Sequence, residues 1–207
     1  MSNPGKTDDK PLSERAREQR ERILAAAQHC FVKYGFHAAS MANIAEAAKM
    51  SAGLIYRYFP NKSAIVLAII ERQTEIELED MRAFNASMDL TEMLVETFAT
   101  WTRPTPDMRI MNAALFLEAS AEATRDRVVA KAMHQTDQMY CAELQAILTR
   151  PVADGGFGMS AKLARERALV ITCLFEGLAV RAARDPGLDL AWLRAALGEA
   201  MPRLLTE

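Results

Sequence analysis

The segment from Ser40 to Lys62, S-M-A-N-I-A-E-A-A-K-M-S-A-G-L-I-Y-R-Y-F-P-N-K, constrains this chain most, because it reads as two short helices joined by a tight turn. Ser40 offers a side-chain oxygen to cap a helix, and Met41, Ile44, Ala45 and Ala48 follow at the three-and-four spacing of one apolar face. Lys49 and Met50 form the turn. Ser51 is placed to cap a second helix with Leu54, Ile55 and Phe59 inward, leaving Ala52, Gly53, Tyr56, Arg57 and Tyr58 on or near the outer side. Pro60 stops that helix, and Asn61 is placed to cap another that begins at Lys62.

Two short helices around such a turn form a helix-turn-helix, which points to double-stranded DNA. A recognition helix enters the major groove N-terminus first, so the small residues Ala52 and Gly53 let its amides approach a phosphate closely. Ser51, Tyr56 and Tyr58 carry hydroxyls suited to phosphate oxygens, and Arg57 suits a phosphate or a guanine edge. Ser40 and Met41 open the supporting helix, and Lys62 is expected to carry its charge toward the DNA backbone.

On these residues the chain resembles the TetR family of bacterial repressors. The resemblance runs from Ile23 to Ile70 and is sharpest in G-L-I-Y-R-Y-F-P-N-K, Gly53 to Lys62. It includes a first helix, I-L-A-A-A-Q-H-C-F-V-K-Y-G, closed by Gly35, and the hydroxyl residue Ser40 opening the second. Two positions depart from the commonest family pattern: Ala52 replaces a frequent lysine or proline, and Leu54 a frequent threonine. Both bear on the operator sequence. The family implies a dimer that represses by occluding a promoter and is released by a small molecule. The stretch Phe175 to Asp189 is similar to the C-terminal domains of the BetI-like branch.

Charge supports a polyanion-binding end. Residues 1–62 hold ten Lys and Arg against six Asp and Glu, whereas residues 63–207 hold fifteen against twenty-one. A cationic surface gains affinity by releasing counterions condensed on DNA, so binding is expected to weaken with salt. Arg15 and Arg17 read either as an N-terminal arm toward phosphates or the minor groove, or as a solvated face paired with Glu14, Glu18 and Glu21. No apolar run approaches the ~18 residues of a membrane span, and the polar start M-S-N-P-G-K-T-D-D-K lacks a signal core. The expectation is a cytoplasmic protein without membrane contact. Cys30, Cys141 and Cys173 are odd in number and widely spaced, which suggests buried thiols rather than disulfides or a zinc site.

The rest of the 207 residues also reads as helices, so the expected fold is all-α. A polar tail over residues 1–13 precedes a DNA-binding domain over 14–62, then a helical sensing and dimerisation domain over 63–207. Helices are expected over about Lys62–Phe84, Leu90–Thr102, Asp107–Ala123, Arg125–Thr149, Ser160–Arg184 and Leu188–Leu205. Apolar stripes in the last two, with Val170, Leu174, Gly177, Leu178, Leu193, Leu197 and Met201, are the expected dimer interface, or else pack within one chain. The middle helices offer a pocket for an apolar or amphipathic inducer, with Phe98, Trp101, Met108, Met111, Leu115, Met133 and Tyr140 as candidates. Glu118 and Glu176 lie on apolar faces, where each meets an arginine (Arg109, Arg167 or Arg181) or awaits a cationic or hydroxylated ligand. His134 is a further possible contact or a surface residue.

An enzyme finds little support: the three histidines lack metal-ligand spacing, and no nucleophile motif or phosphate-cradling loop is present. No cofactor is expected. The alternative is a helical protein-interaction module on the same scaffold without operator binding.

Overall fold

The computed structural model describes residues 14–84, 88–103 and 112–206, and these form nine α-helices with no strand among the described residues. They are α1 (Glu14–Tyr34), α2 (Met41–Ala48), α3 (Ala52–Tyr58), α4 (Lys62–Ala83), α5 (Leu90–Thr102), α6 (Ala113–Ala123), α7 (Arg127–Thr149), α8 (Ala161–Arg184) and α9 (Leu190–Leu205). A single 3-10 turn, Val152–Asp154, lies between α7 and α8.

Local chemistry sets most boundaries. Ser40 and Asn43 cap α2 reciprocally, with Ser40 Oγ accepting from Asn43 N at 3.1 Å and Asn43 Oδ1 accepting from Ser40 N at 2.9 Å. Ser51 Oγ accepts from Leu54 N at 3.3 Å, and Asn61 Oδ1 from Ala64 N at 2.8 Å. Gly35 ends α1 at φ +76°, a left-handed conformation that side chains with a Cβ resist. Three starts differ from expectation. Helix α7 opens at Arg127 rather than Arg125 because Asp126 takes the cap, accepting from Val128 N at 2.7 Å. Asp189 does the same for α9, which opens at Leu190 rather than Leu188. Asn112 caps α6 at Ala113; Asp107, Met108, Arg109 and Met111 lie outside the described residues.

Two apolar clusters organise the molecule. The first joins Ile23, Leu24, Ala27 and Phe31 of α1 to Ile44 of α2, Ile55 of α3 and Ile65, Val66, Ile69 and Ile70 of α4. Ile44 and Ile55 are fully buried, and each contributes roughly 1.5–3 kcal/mol toward holding its short helix on α1. Leu115 of α6 and Val129 of α7 enter the same cluster, so the core continues past residue 62 into the rest of the chain. The second joins α5, α7, α8 and α9 through Phe98, Trp101, Leu148, Ile171, Leu178, Leu193, Leu197 and Met201. Helix α4 belongs to the first cluster, and Phe84, which caps its C-terminus, enters the second. Arg72 fastens its middle to α1, donating to Glu21 Oε2 and to Gln28 Oε1, each at 2.7 Å.

Cys30 is buried, and desolvation raises its thiol pKa; Cys141 is half-buried. Cys173, expected inside, is exposed because it falls on the outward face of α8.

Candidate nucleic-acid interface and sensor cavity

Helices α2 and α3 meet at a turn in which Lys49 adopts a left-handed φ of 52° and Met50 N bonds Ala45 O at 2.9 Å. Arg22 donates to Lys49 O at 3.4 Å, and the Arg20 guanidinium lies 5.6 Å from the Phe59 ring centre, so α1 braces the turn and the far end of α3. With Ile55 buried, α3 turns Ser51, Ala52, Gly53, Tyr56 and Arg57 outward; Tyr58 is half-buried against the core. A Cβ on Gly53 would meet nothing within 4 Å, so the chain's own packing does not demand glycine there. Ser40 is exposed beside this face and Met41 half-buried. Arg15 and Arg17 are exposed on the first turn of α1.

Lys62 is placed differently from the expectation. Its ammonium donates to Phe36 O at 2.7 Å, His37 O at 3.1 Å and Ala39 O at 2.7 Å, and lies 4.8 Å from the centre of the Phe36 ring. An ammonium has three N–H donors, so this set engages all of them. Lys62 holds the α1–α2 loop onto the start of α4 instead of reaching outward. The same loop meets α6, where Glu118 Oε2 accepts from Phe36 N at 2.7 Å and Glu122 Oε2 stands 3.5 Å from His37 Nε2. Ser63 donates to Asp126 Oδ2 at 2.9 Å, a bond that helps hold the Asp126 carboxyl below its usual range after the Val128 amide. A void of about 10 Å³, room for one water, is lined here by Leu115, Glu118 and Glu122.

The larger cavity, about 430 Å³, lies between α4, α5, α7 and α8. One stripe of α4 faces it, with Gln73, Ile76, Glu77, Asp80, Met81 and Phe84 at helical spacing. Met93, Thr97 and Trp101 line it from α5, Tyr140 and Leu144 from α7, and Ile171, Thr172 and Phe175 from α8. Trp101 and Phe175 meet edge to face, 4.8 Å between ring centres. Tyr140 donates a short hydrogen bond to Glu77, whose other oxygen accepts from Gln73 Nε2 at 2.8 Å. Burial pushes the Glu77 carboxyl up despite both bonds, and burial followed by the Glu77 charge pushes the Tyr140 phenol far up.

Of the expected ligand contacts, Trp101 and Tyr140 line this cavity. Phe98 is fully buried in the second cluster rather than on the wall, Leu115 lines the water-sized void, and Met133 packs on the first cluster. Glu118 faces the DNA-binding end, paired with a backbone amide rather than an arginine. Glu176 is half-buried outside the lining; no ion pair joins it to Arg167 or Arg181 among the described residues, and burial followed by Asp137 raises its pKa. His134 is exposed and bonds Gln138 at 3.1 Å. Gln73 and Glu77 escape sequence reading because Glu77 sits in the charged run T-E-I-E-L-E-D, which looks like a solvated face. The overlooked signal is the stripe Gln73, Ile76, Glu77, Met81, Phe84, which alternates polar and apolar groups on one side.

The expected dimer residues divide. Leu178, Leu193, Leu197 and Met201 are buried in the chain's own core and Leu174 is half-buried against it, because the largest apolar stripes are those that close the second cluster. Val170 and Gly177 are exposed. They share the outward side with Leu169, Cys173, Trp192, Ala195 and Ala196; Trp192 is 67% exposed.

An N-terminal helix-turn-helix on a larger helical domain, all-helical among the described residues, defines a DNA-binding transcriptional regulator. Residues 23–69 match the family model described as bacterial regulatory proteins, tetR family. The chain is 33% identical over 141 residues to the HTH-type transcriptional regulator UidR of Escherichia coli, covering 68% of this chain and 69% of that protein. It is 29% identical over 160 residues to the HTH-type transcriptional repressor KstR of Rhodococcus jostii, covering 71% and 73%. Its fold matches Salmonella enterica GusR with a TM-score of 0.69 and 30% identity, over 91% of this chain and 97% of that one. FadR of Bacillus subtilis, solved in complex with stearoyl-CoA, superposes with a TM-score of 0.61 at 22% identity over 90% and 97%, a likeness of fold alone. The chain belongs to the TetR family of transcriptional regulators. Its relatives are regulators rather than enzymes, and no described helix is long and apolar enough to cross a membrane.

Proposed function

We propose that this chain is a repressor that binds a palindromic operator as a homodimer and is released by a small amphipathic molecule. Residues 14–62 form the reading head, with α4 onward serving sensing and dimerisation. The operator face comprises Ser40, Met41, Ser51, Ala52, Gly53, Tyr56, Arg57 and Tyr58, with Arg15 and Arg17 reaching flanking phosphates. Lys62 supports this face through the α1–α2 loop.

The observation that carries the reading is the position of α4. It begins at the helix-turn-helix through Asn61 and Lys62, and one stripe of it walls the 430 Å³ cavity. A ligand that fills the cavity and shifts α4 therefore moves the reading head. In a two-fold dimer the heads must enter major grooves about one turn, roughly 34–36 Å, apart, so a small rotation costs affinity. A coupling of about 1–3 kcal/mol changes operator affinity roughly 5- to 150-fold, and bound DNA weakens the ligand equally.

Fluorescence anisotropy against the upstream intergenic DNA of its own gene and a scrambled control, across a salt series, tests this. Selective binding of two subunits per site, weakening as salt rises, is the expected result. Equal, weak binding to both DNAs throughout the intergenic region overturns the repressor reading and favours a protein-interaction module.

A further inference from the structure

We propose that the cavity ligand is an organic cation, an ammonium carried on an apolar or aromatic body, with the charged end against Glu77 and Gln73. This rests on the sensing role given to the cavity above and names the class of molecule that fits it.

The strongest polar groups facing the cavity, its carboxylates and the Gln73 carbonyl, are acceptors. Gln73 is buried, one N–H of its Nε2 is used on Glu77, and its Oε1 is buried with no hydrogen-bond partner. Tyr140 spends its single donor on Glu77. Thr97 and Thr172 spend theirs on Met93 O at 2.8 Å and Ala168 O at 3.0 Å. What remains for a ligand is the Gln73 carbonyl, the free lone pairs of Glu77 and hydroxyl oxygens, beside three donors that no bond among the described residues engages: the second amide N–H of Gln73, the Thr100 hydroxyl and the Trp101 indole N–H. A ligand needs a donor to pair Gln73 Oε1, which a molecule made only of acceptors leaves unpaired.

Charge narrows the class further. Among the described lining residues there are three carboxylates, Glu77, Asp80 and Glu96, and no Lys, Arg or His. Asp80 and Glu96 are exposed where α4 and α5 open to solvent, so the entrance attracts cations and repels anions. Glu77 sits deeper, where burial disfavours its charge and no basic residue among the described lining offsets it. A hydroxyl would satisfy Gln73 but leave Glu77 without a counter-charge; an ammonium serves both. The walls suit the rest of the molecule, since the aromatic Trp101, Phe175, Phe84 and Phe157 line them beside Met81, Met93 and Leu144. The same lining is poorly suited to a carboxylate or a phosphorylated ligand.

Three probes of matched length separate the possibilities: 4-phenylbutan-1-amine, 4-phenylbutan-1-ol and 4-phenylbutanoate, titrated calorimetrically into the full-length protein at neutral pH. The amine is expected to bind at least about tenfold more tightly than the alcohol, as hydrogen bonds to charged groups imply, with the carboxylate weakest. Glu77→Gln should bring amine and alcohol to similar affinity. Equal binding of all three by the parent protein, tightest binding of the carboxylate, or no binding of the amine overturns the proposal without any variant. Operator release is read in the same samples. An amine that binds without releasing operator leaves the ligand class standing and removes the sensing role, whereas release by the carboxylate does the reverse.

Discussion

Lys62 and Arg57 carry the same charge only five residues apart in sequence, yet their surroundings assign them different work. Lys62 satisfies three loop carbonyls, and Arg57 is exposed on α3. Lys62→Met should therefore lower stability by roughly 1.5–3 kcal/mol, the worth of hydrogen bonds to a charged group, seen as a fall in the urea midpoint. Its operator salt slope should stay as in the parent. Arg57→Ala should leave the midpoint in place and reduce the slope of log K against log salt by about 1 if Arg57 meets a phosphate. Equal slopes for both variants would show that Arg57 makes no phosphate contact. Glu77 supplies a pH test. Its folded pKa lies above the ordinary 4.5, so as pH rises from 4.5 the folded chain releases this proton later than the unfolded chain does. Stability is thus fully present below about 4.5 and is lost as pH rises through the folded value. Glu77→Gln should raise Tm at pH 8, with the gain shrinking toward zero near pH 4.5; Asp137 and Glu176, also raised by burial, stay as common background in both proteins. Side chains whose partners are distant in sequence were hidden from sequence reading for this reason. Nothing near Lys62 in the chain announces that residues 36–39 will curl around it, and nothing near Glu77 announces Tyr140.

At the scale of elements, the helix-turn-helix was legible because its signals are local: Ser40, Ser51 and Asn61 each cap the helix that follows within three residues, and Ile44 and Ile55 mark the buried faces. The pocket-lining helices were less so. Every one of α4 to α8 has an apolar side, and whether that side meets a neighbour or a void depends on how the helices cross, which periodicity does not encode. The same ambiguity placed Glu118 in the cavity, when the turn of α6 directs it to the amide of Phe36. That contact gives α6 a second route to the reading head besides α4. Glu118→Leu removes the acceptor and leaves the Phe36 amide without its partner. In the absence of ligand, operator affinity should change by less than about threefold, because Lys62 still holds the loop carbonyls. The shift in operator affinity produced by a saturating ligand should fall at least about fivefold, the lower end of ordinary allosteric coupling. Anisotropy titrations of both proteins with and without 4-phenylbutan-1-amine measure this, and an unchanged shift would assign the coupling to α4 alone.

For the whole molecule, the face that matters is the one the core leaves uncovered. The large leucines of α8 and α9 close the chain's own interior, and the outward side is built from Val170, Cys173, Gly177, Trp192, Ala195 and Ala196. In the homodimer proposed above, the small residues of this face would let helices of two subunits approach closely, and the exposed Trp192 would supply an aromatic anchor of the kind enriched at interfaces. Gly177 separates this role from folding. A Cβ there meets nothing within 4 Å, and its φ lies outside the left-handed region, so a larger side chain neither clashes within the chain nor strains the backbone. Gly177→Phe should therefore fold with the helicity of the parent, yet block close packing of two copies. Sedimentation is expected to show a dimer for the parent and a monomer for the variant, and Cys173, protected in the dimer, should react with a thiol reagent markedly faster. Operator affinity should fall by at least about a hundredfold, since a monomer engages one half-site and loses the effective concentration that links the second. A variant that stays dimeric, with Cys173 equally reactive in parent and variant, would place the two-fold axis on another face, and the reading heads would then have to reach successive grooves from a different arrangement of α4.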